Sequence, residues 1–124
     1  MLSDKDAAAT IAVKDTKAAR KFYEGILGLK PARSGEEGVL SYKSGKSSIL
    51  VYESRYAGTN KATAATWVVD DVDGTVRDLK GKGITFEHYD MPEMTRKGDV
   101  HVAGDTKAAW FKDPDGNILS VVNG

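Results

Sequence analysis

The chain has 124 residues, with 18 Lys and Arg balanced by 18 Asp and Glu, and it contains no cysteine. This length predicts a single domain over residues 1–124, and the balanced charge gives no attraction to nucleic acid or to an acidic membrane surface. The lack of cysteine excludes disulfides, thiolate metal sites and cysteine nucleophiles. No basic segment followed by an apolar run opens the sequence, and no stretch approaches the ~20 apolar residues of a membrane span. We therefore expect a cytoplasmic protein whose partner is a small molecule.

The first half, residues 7–56, predicts a strand, a helix and three further strands. In IAVKDTKAARKFYEGILGLK, a strand is followed by Asp15 as the helix cap, by a helix to about Leu27, and by Gly28 as the helix stop. The next strand begins at Leu29. GVLSYKSGKSSILVYES follows, with two strand-like runs around SGKS, which is the pattern of a hairpin.

The second half, residues 63–123, repeats this order. WVVDDVDGTVRDLKGKGITFE predicts a strand, a cap at Asp71 or Asp73, an amphipathic helix that has stopped by Gly83, and a strand over 84–89. KAAWFKDPDGNILSVVN then predicts the closing hairpin. Both halves are therefore predicted to be βαβββ units.

The second unit is predicted to contain an insertion. The glycines that end the two helices are 55 positions apart, whereas the offset is 69 for the aligned hairpin residues, Tyr42 with Phe111 and Leu50 with Leu119. We place the extra residues in an inserted loop at 90–107. Long loops in small domains are usually functional, and glycines at 98 and 104 provide hinge positions, so the loop is predicted to act as a lid.

The acidic stretch DPDG, within AWFKDPDGNILS, predicts either a metal loop or a turn. A calcium loop needs oxygen ligands at alternate positions and ends in a glutamate, but DPDGN is followed by Ile, Leu and Ser. Pro114 presets its own φ angle and Gly116 supplies a left-handed residue. The stretch is therefore predicted to be a hairpin turn.

Two βαβββ units, with DTKAARKFYEGILGLK in the first and WFKDPDGNILSVV closing the second, resemble the glyoxalase/bleomycin-resistance/dioxygenase group, the vicinal oxygen chelate superfamily. The resemblance covers about residues 7–123. It implies an α+β fold in which the units form a curved, mostly antiparallel sheet around a cleft, with helices outside. It leaves the function open, because the group contains isomerases, dioxygenases, thiol transferases and drug-binding proteins.

The resemblance also implies where a metal would be held. Carried onto this chain, the metal-ligand positions of the superfamily are Ala8, Val51, Ala64 and Ser120. Two methyl groups, an isopropyl group and one neutral hydroxyl cannot replace the imidazole and carboxylate ligands that such metals need. We therefore predict no metal and no other cofactor.

Side-chain alternation along the strands separates a core face from a face that lines the cleft. The predicted ligand-binding residues are Trp110, Tyr89, Lys112 and Ser120 on the cleft face, with Glu53, Tyr56 and Asn60 at the end of the fourth strand and in the loop that follows. The catalytic candidates are Glu87, on the same face, and His101, in the inserted loop.

Two classes of function fit these residues. The first is a metal-free protein that binds or sequesters a small ring-containing compound. The second is a lyase or isomerase of the same superfamily that uses Glu87 or His101 as acid or base, with or without a displaced metal site. Because repeated units exchange readily between copies of a chain, we also predict a homodimer.

Overall fold

A computed structural model describes residues 1–34 and 37–124 of the chain. The first unit consists of β1 (Ala8–Val13), α1 (Thr16–Arg20) continued by a π-helical segment (Lys21–Ile26), β2 (Lys30–Ser34), β3 (Val39–Ser44) and β4 (Ser47–Glu53). The second consists of β5 (Thr63–Val69), α2 (Val72–Gly81), β6 (Phe86–Glu87), β7 (Thr95–Lys97), β8 (Val100–Ala103), β9 (Thr106–Lys112) and β10 (Ile118–Asn123). This order confirms the α+β class. No helix in the described ranges is long and apolar enough to cross a membrane.

The caps and stops of the helices follow the sequence signals. The Asp15 carboxylate accepts a hydrogen bond from the backbone of Lys17 at 2.9 Å, and Asp71, rather than Asp73, accepts one from Gly74 at 3.0 Å. Each bond satisfies an amide that has no partner inside the helix. Gly28 has a φ of 74°, a left-handed conformation that ends the first helix at little steric cost.

Each unit builds its own mixed sheet. The strand orders are β1-β4-β3-β2 and β5-β10-β9-β8-β7, with β6 also paired to β9. In both sheets the first strand of the unit runs parallel to the last, and the last two strands of the βαβββ order form an antiparallel hairpin. The repeat predicted from the sequence is therefore present in the topology. The strands form two sheets that meet at β1 and β5, where we predicted one curved sheet.

One hydrophobic core runs through both units. It contains Ile11, Val13, Phe22, Tyr23, Tyr42 and Val51 from the first unit and Val76, Phe86, Phe111, Leu119 and Val121 from the second. The rings of Phe22 and Phe111 lie 6.4 Å apart, which joins the first helix to the second sheet. The strand residues in this core lie on the faces that pack beneath the helices.

The insertion in the second unit divides the strand beside β9 into β6 and β8. Phe86 pairs with Phe111, and His101 pairs with Ala108. The two residues on β9 are three positions apart, whereas their partners are fifteen positions apart. Twelve residues, 88–99, therefore separate β6 from β8, and three of them form β7 on the far side of β8. The strand predicted over 84–89 is reduced to two residues by this insertion.

Much of the segment predicted as a loop, residues 90–107, is strand. It contains β7, β8 and the start of β9, because the free edge of β9 needs a hydrogen-bonding partner and β8 provides it. Val100 and His101 are 5% and 1% exposed. Since these side chains are part of the packed structure, we do not expect the whole segment to move as a lid. Its longest stretch without strand structure is residues 90–94, before β7.

The DPDG stretch is a turn, as predicted, and it also ties the two units together. The backbone of Gly116 donates to the carbonyl of Asp113 at 3.0 Å. The Asp113 carboxylate, 5% exposed, accepts from the Tyr23 hydroxyl at 2.7 Å and from the Asn117 side chain and backbone at 2.8 and 2.9 Å. Asn117 in turn donates to the carbonyl of Ala12 at 2.7 Å. Burial and the Asp113 charge raise the pKa of Tyr23, so its hydroxyl keeps the proton that it donates.

Candidate functional site

The open face of the second sheet carries a row of polar and aromatic side chains. Strand pairing places Glu87 beside Trp110, Trp110 beside Ser120, and Ser120 beside Thr66. Phe111 belongs to the opposite face, with the core. Alternation along β9 therefore points Trp110 away from the helices, as the sequence pattern predicts.

Three rings pack together at the centre of this face. Trp110 lies 4.9 Å from His101 and 5.6 Å from Tyr89, both edge to face, and Tyr89 lies 6.2 Å from His101. We refer to Tyr89, His101 and Trp110 as the aromatic cluster. The indole N–H of Trp110 donates to the Thr63 hydroxyl at 3.2 Å, which fixes the ring at the start of β5.

The aromatic cluster is assembled differently from the prediction. Tyr89 lies after the end of β6, not on a strand, yet its ring still reaches Trp110. His101 is held on β8 by pairing with Ala108, not on a mobile loop. Because β6 and β8 both pair with β9, Tyr89 and His101, which lie near the two ends of the insertion, both pack against the Trp110 ring.

The tautomer of the His101 ring follows from its hydrogen bond. The backbone N–H of Tyr89 donates to His101 Nε2 at 3.0 Å, so this nitrogen is an acceptor and the neutral ring carries its proton on Nδ1. His101 can therefore donate a hydrogen bond from Nδ1. Its one lone pair is already occupied, which disfavours a role as general base.

An ion pair flanks the aromatic cluster. Lys112 Nζ lies 3.4 Å from Glu87 Oε1, with both side chains partly exposed. Burial and the Glu87 carboxylate raise the pKa of Tyr89, while Lys112 lowers it to a smaller extent. The Tyr89 phenol is thus a protonated donor at neutral pH.

Two pockets adjoin the aromatic cluster, and Tyr89 and Met91 line both. The first, of about 380 Å³, is lined by Lys61, Ala62, Thr63, Tyr89, Met91, Trp110 and Ile118. The second, of about 350 Å³, is lined by Tyr89, Asp90, Met91, Pro92, Met94 and Arg96. We refer to the first as the Trp110 pocket. Its size is within the range of small-ligand sites.

Five predicted ligand-binding residues do not line the Trp110 pocket: Lys112 and Ser120, which share the face of Trp110, and Glu53, Tyr56 and Asn60, which lie elsewhere. Glu53 accepts a hydrogen bond from the backbone of Thr16 at 3.2 Å, at the start of α1. Tyr56 is 61% exposed and its hydroxyl accepts from Arg55 at 2.8 Å. Asn60 accepts from the backbone of Ala62 at 3.1 Å and so shapes the linker before β5.

The remaining predicted residues share the face of Trp110, but they differ in access. Lys112 is exposed beside Glu87, whereas Ser120 is 2% exposed and lies within the packed sheet. Lys61, Thr63 and Met91 also line the pocket, although no pattern in the sequence led us to predict them. Only the position of Thr63 at the start of a strand gave a signal, because the other two lie in irregular segments.

A separate apolar cavity of about 250 Å³ lies on the helix side of the second sheet. Leu27, Trp67, Leu79 and Val121 contribute to its wall, which contains no ionisable side chain. The indole N–H of Trp67 is paired with the Ser44 hydroxyl at 2.9 Å. The cavity therefore has space for an apolar group, but the Trp67 indole N–H is already paired and does not provide a hydrogen-bond donor for a ligand.

The side chains at the metal positions of the superfamily do not fit a metal ion. Ala8 pairs with Ser48 on the open face of the first sheet, and Ala64 lies at the irregularity between β5 and β10. Ser120 offers one hydroxyl. Within residues 1–34 and 37–124, no group of three or more His, Asp or Glu side chains is placed to hold a metal.

The remaining one of the four metal positions, which we predicted at Val51, was wrong by one residue. Val51 pairs with Ile11 and is fully buried in the core, while its neighbour Leu50 pairs with Thr10 on the open face. Tyr42 pairs with Ile49 seven positions later, whereas Phe111 pairs with Leu119 eight positions later. The longer turn at DPDG shifts the alignment, but Leu50 is no better a ligand than Val51.

Comparisons with known proteins agree with the topology. A glyoxalase-family protein from Enterococcus faecalis superposes with a TM-score of 0.74 at 18% identity, covering 99% of this chain and 100% of that chain. A lactoylglutathione lyase from Agrobacterium tumefaciens gives a TM-score of 0.71 at 19% identity, covering 98% and 94%. The fosfomycin resistance protein FosX from Listeria monocytogenes gives 0.71 at 16% identity, covering 95% and 91%.

At these identities the solved structures establish the fold alone, and no curated protein matches the sequence significantly. The sequence itself carries the family signal. Residues 7–121, nearly the whole of both units, match the family described as Glyoxalase/Bleomycin resistance protein/Dioxygenase superfamily. The chain belongs to the glyoxalase/bleomycin resistance protein/dioxygenase superfamily.

Proposed function

We propose that this chain is a small-molecule-binding protein that holds a ring-containing compound against Trp110 without a metal ion. The observation that carries the proposal is the aromatic cluster beside the Trp110 pocket. A flat ring gains apolar burial and a favourable ring–ring geometry against an indole. The side chains at the metal positions support a metal-free mode, because they supply too few donors.

The walls of the Trp110 pocket indicate which ligands it suits. Met91, Trp110 and Ile118 offer apolar surface, and Lys61 offers one cation at the rim. The Glu87–Lys112 pair lies on the same face and supplies one charge of each sign. An uncharged or zwitterionic compound with one flat ring fits this distribution best, because no single sign of charge dominates.

An enzyme of the lyase or isomerase type is the second candidate. Glu87 supports it, because the carboxylate lies beside Trp110 on the open face and could accept a proton from a bound compound. His101 supports it less, since its acceptor nitrogen is engaged by Tyr89. Similarity of fold to a lactoylglutathione lyase does not decide between the candidates.

We also propose a homodimer. Val68 and Tyr52 are 69% and 36% exposed, and they belong to the open faces of the two sheets. Apolar side chains on a sheet face are commonly covered by another protein surface. Light scattering at micromolar concentration is expected to give twice the chain mass of 13.3 kDa; a value near the single-chain mass would contradict the dimer.

A thermal screen tests the binding function. Purified protein is heated with single-ring and two-ring compounds, with and without a chelator. A ligand at 100 times its Kd stabilises the fold by about 2.7 kcal/mol, which is measurable as a higher Tm. We expect hits that are unaffected by the chelator and that shift the Trp110 indole resonance in NMR spectra. One equivalent of divalent metal retained after dialysis, or hits that disappear with the chelator, would contradict the metal-free proposal.

A further inference from the structure

Two buried polar atoms of the aromatic cluster, His101 Nδ1 and Tyr89 Oη, have no hydrogen-bond partner within residues 1–34 and 37–124. Buried polar groups in folded proteins are almost always paired, because removing one from water without a partner opposes folding. The buried hydroxyl of Tyr23, for comparison, donates to Asp113 at 2.7 Å. Two unpaired atoms on neighbouring rings therefore indicate a partner that the fold itself does not supply.

Both unpaired atoms are hydrogen-bond donors. His101 Nδ1 carries the proton, because Nε2 accepts from the Tyr89 backbone at 3.0 Å. The Tyr89 phenol is also protonated at neutral pH, since burial and the Glu87 carboxylate raise its pKa. The missing partner must accordingly be an acceptor, and Lys61 on the rim is compatible with either a neutral or a negative one.

The segment that follows Tyr89 lies beside both pockets that adjoin the aromatic cluster. Tyr89 and Met91 line both pockets that adjoin the aromatic cluster, so the segment between these residues separates one pocket from the other. Residues 88–94 contain no helix or strand; the backbone of Tyr89 donates to His101 Nε2 at 3.0 Å, and the backbone of Met94 donates to the carbonyl of Met91 at 3.0 Å. An unbranched methionine side chain adopts many rotamers, so it can swing aside without disturbing the sheet.

We infer that the ligand carries a carbonyl or carboxylate oxygen that accepts hydrogen bonds from His101 Nδ1 and Tyr89 Oη while its ring lies against Trp110. The inference rests on the proposed function and names the chemical class that the same site selects. His101 and Tyr89 lie 4.9 and 5.6 Å from the Trp110 ring, so one small molecule spans all three residues. The apolar wall holds the ring, and the two donors select compounds that bear an acceptor.

The first test removes each of two tyrosine hydroxyls in the absence of ligand. Tyr89→Phe is expected to leave the Tm unchanged or to raise it by roughly 2–4 °C, because it deletes a buried donor without a partner. Tyr23→Phe is the matched control and is expected to lower the Tm, since it removes the 2.7 Å hydrogen bond from the Tyr23 hydroxyl to the buried Asp113 carboxylate. A loss of Tm in Tyr89→Phe equal to that in the control would show that the Tyr89 hydroxyl is already paired, and would overturn the inference.

The second test titrates three compounds that share one ring: toluene, benzamide and benzoate. Binding is followed by NMR of protein labelled with ¹⁵N-histidine. Benzamide or benzoate is expected to shift the His101 Nδ1 resonance and to bind more tightly than toluene. Tyr89→Phe should weaken that compound about fivefold, the loss of one hydrogen bond, and leave toluene unchanged. The stronger of benzamide and benzoate identifies a neutral or an anionic acceptor.

The outcomes separate the inference from the function on which it rests. Equal affinity for all three compounds, or a His101 ring with its proton on Nε2, would overturn the acceptor and leave ring binding at Trp110 standing. No binding by any of the three would contradict ring binding itself. The preference for benzamide or benzoate could also persist in Tyr89→Phe without any shift of the His101 Nδ1 resonance. That result would show that the acceptor binds elsewhere and would overturn the inference.

Discussion

The open faces of the two sheets differ at corresponding positions, although the strand order of the two units is the same. In the first sheet Ser41 pairs with Leu50, and in the second Trp110 pairs with Ser120. The second sheet also has Glu87 beside the indole. At these positions the repeated backbone thus carries a serine and a leucine in one half, and an indole and a serine beside a carboxylate in the other. The topology is shared, and the candidate chemistry is confined to the second unit.

The largest expected effect concerns the two hairpin turns. Asp113→Ala removes four hydrogen bonds and leaves the buried Tyr23 hydroxyl without a partner. We expect a loss of about 3–5 kcal/mol in the free energy of unfolding, measured with urea. Ser44→Ala, in the first turn, removes one acceptor for Trp67 and should cost only about 1 kcal/mol. Equal losses would show that the second turn is not the stronger link.

The next effect concerns the indole itself. Trp110→Ala is expected to reduce the affinity for any compound found in the thermal screen at least about tenfold, or about 1.4 kcal/mol. Ser41→Ala, at the corresponding position of the first sheet, should leave the affinity unchanged. Calorimetric titration of both variants with the same compound measures the difference. If both variants bind like the parent protein, the ligand lies outside the Trp110 pocket.

A smaller effect is expected at Glu87. In a binding protein the carboxylate orients the ligand, so Glu87→Gln should change the affinity no more than about threefold, a fraction of 1 kcal/mol. In an enzyme the same substitution would remove a general base and lower turnover by about 10² to 10⁴ while binding is retained. Affinity and turnover measured on one preparation distinguish the two candidates.

The smallest effect concerns the insertion that only the second unit contains. Asp99, between β7 and β8, lies 2.7 Å from both Lys80 and His88, and the hydrogen bonds from Lys80 and then His88 hold its pKa below the ordinary value. A carboxyl group with a lowered folded-state pKa stabilises the fold above its unfolded pKa of about 3.9, and this contribution is lost as the pH falls through the folded pKa.

Asp99→Asn is therefore expected to cost no more than about 1 kcal/mol at neutral pH. The difference from the parent protein should shrink as the pH falls and disappear once the pH is below the lowered pKa of Asp99, where the carboxyl group of the parent is protonated. Urea denaturation across this pH range is the measurement. A stability difference that stays constant down to the lowest pH would show that the Lys80 and His88 contacts do not depend on the charge.

Local signals in the sequence predicted the fold well. The helix caps at Asp15 and Asp71, the stops at Gly28 and Gly83, and the turn at DPDG are set by neighbouring residues, so a pattern read along the chain is sufficient. The faces of β9 and β10 also followed from alternation. These features need no knowledge of distant contacts.

The candidate site was less predictable, because it depends on how strands pair. Tyr89 and His101 meet at Trp110 because β6 and β8 both pair with β9, and this register cannot be read from the sequence of either segment alone. The partner of Glu53 is the backbone of Thr16, a contact across the first unit that no local pattern indicates. The error at Val51 has the same origin, since one extra residue in a turn exchanges the two faces of a strand.

The bonds between the units have a consequence for the order in which the chain folds during synthesis. Asn117 donates to Ala12 and Asp115 accepts from Lys14, contacts that span 105 and 101 positions. The Tyr23 hydroxyl cannot form its hydrogen bond until Asp113, 90 positions later, has been synthesised. The newly made first unit therefore exposes core aromatics to the cellular environment until almost the last residues of the second unit have been added. Contacts of such long range slow folding and leave apolar surface open to aggregation and chaperones in the meantime.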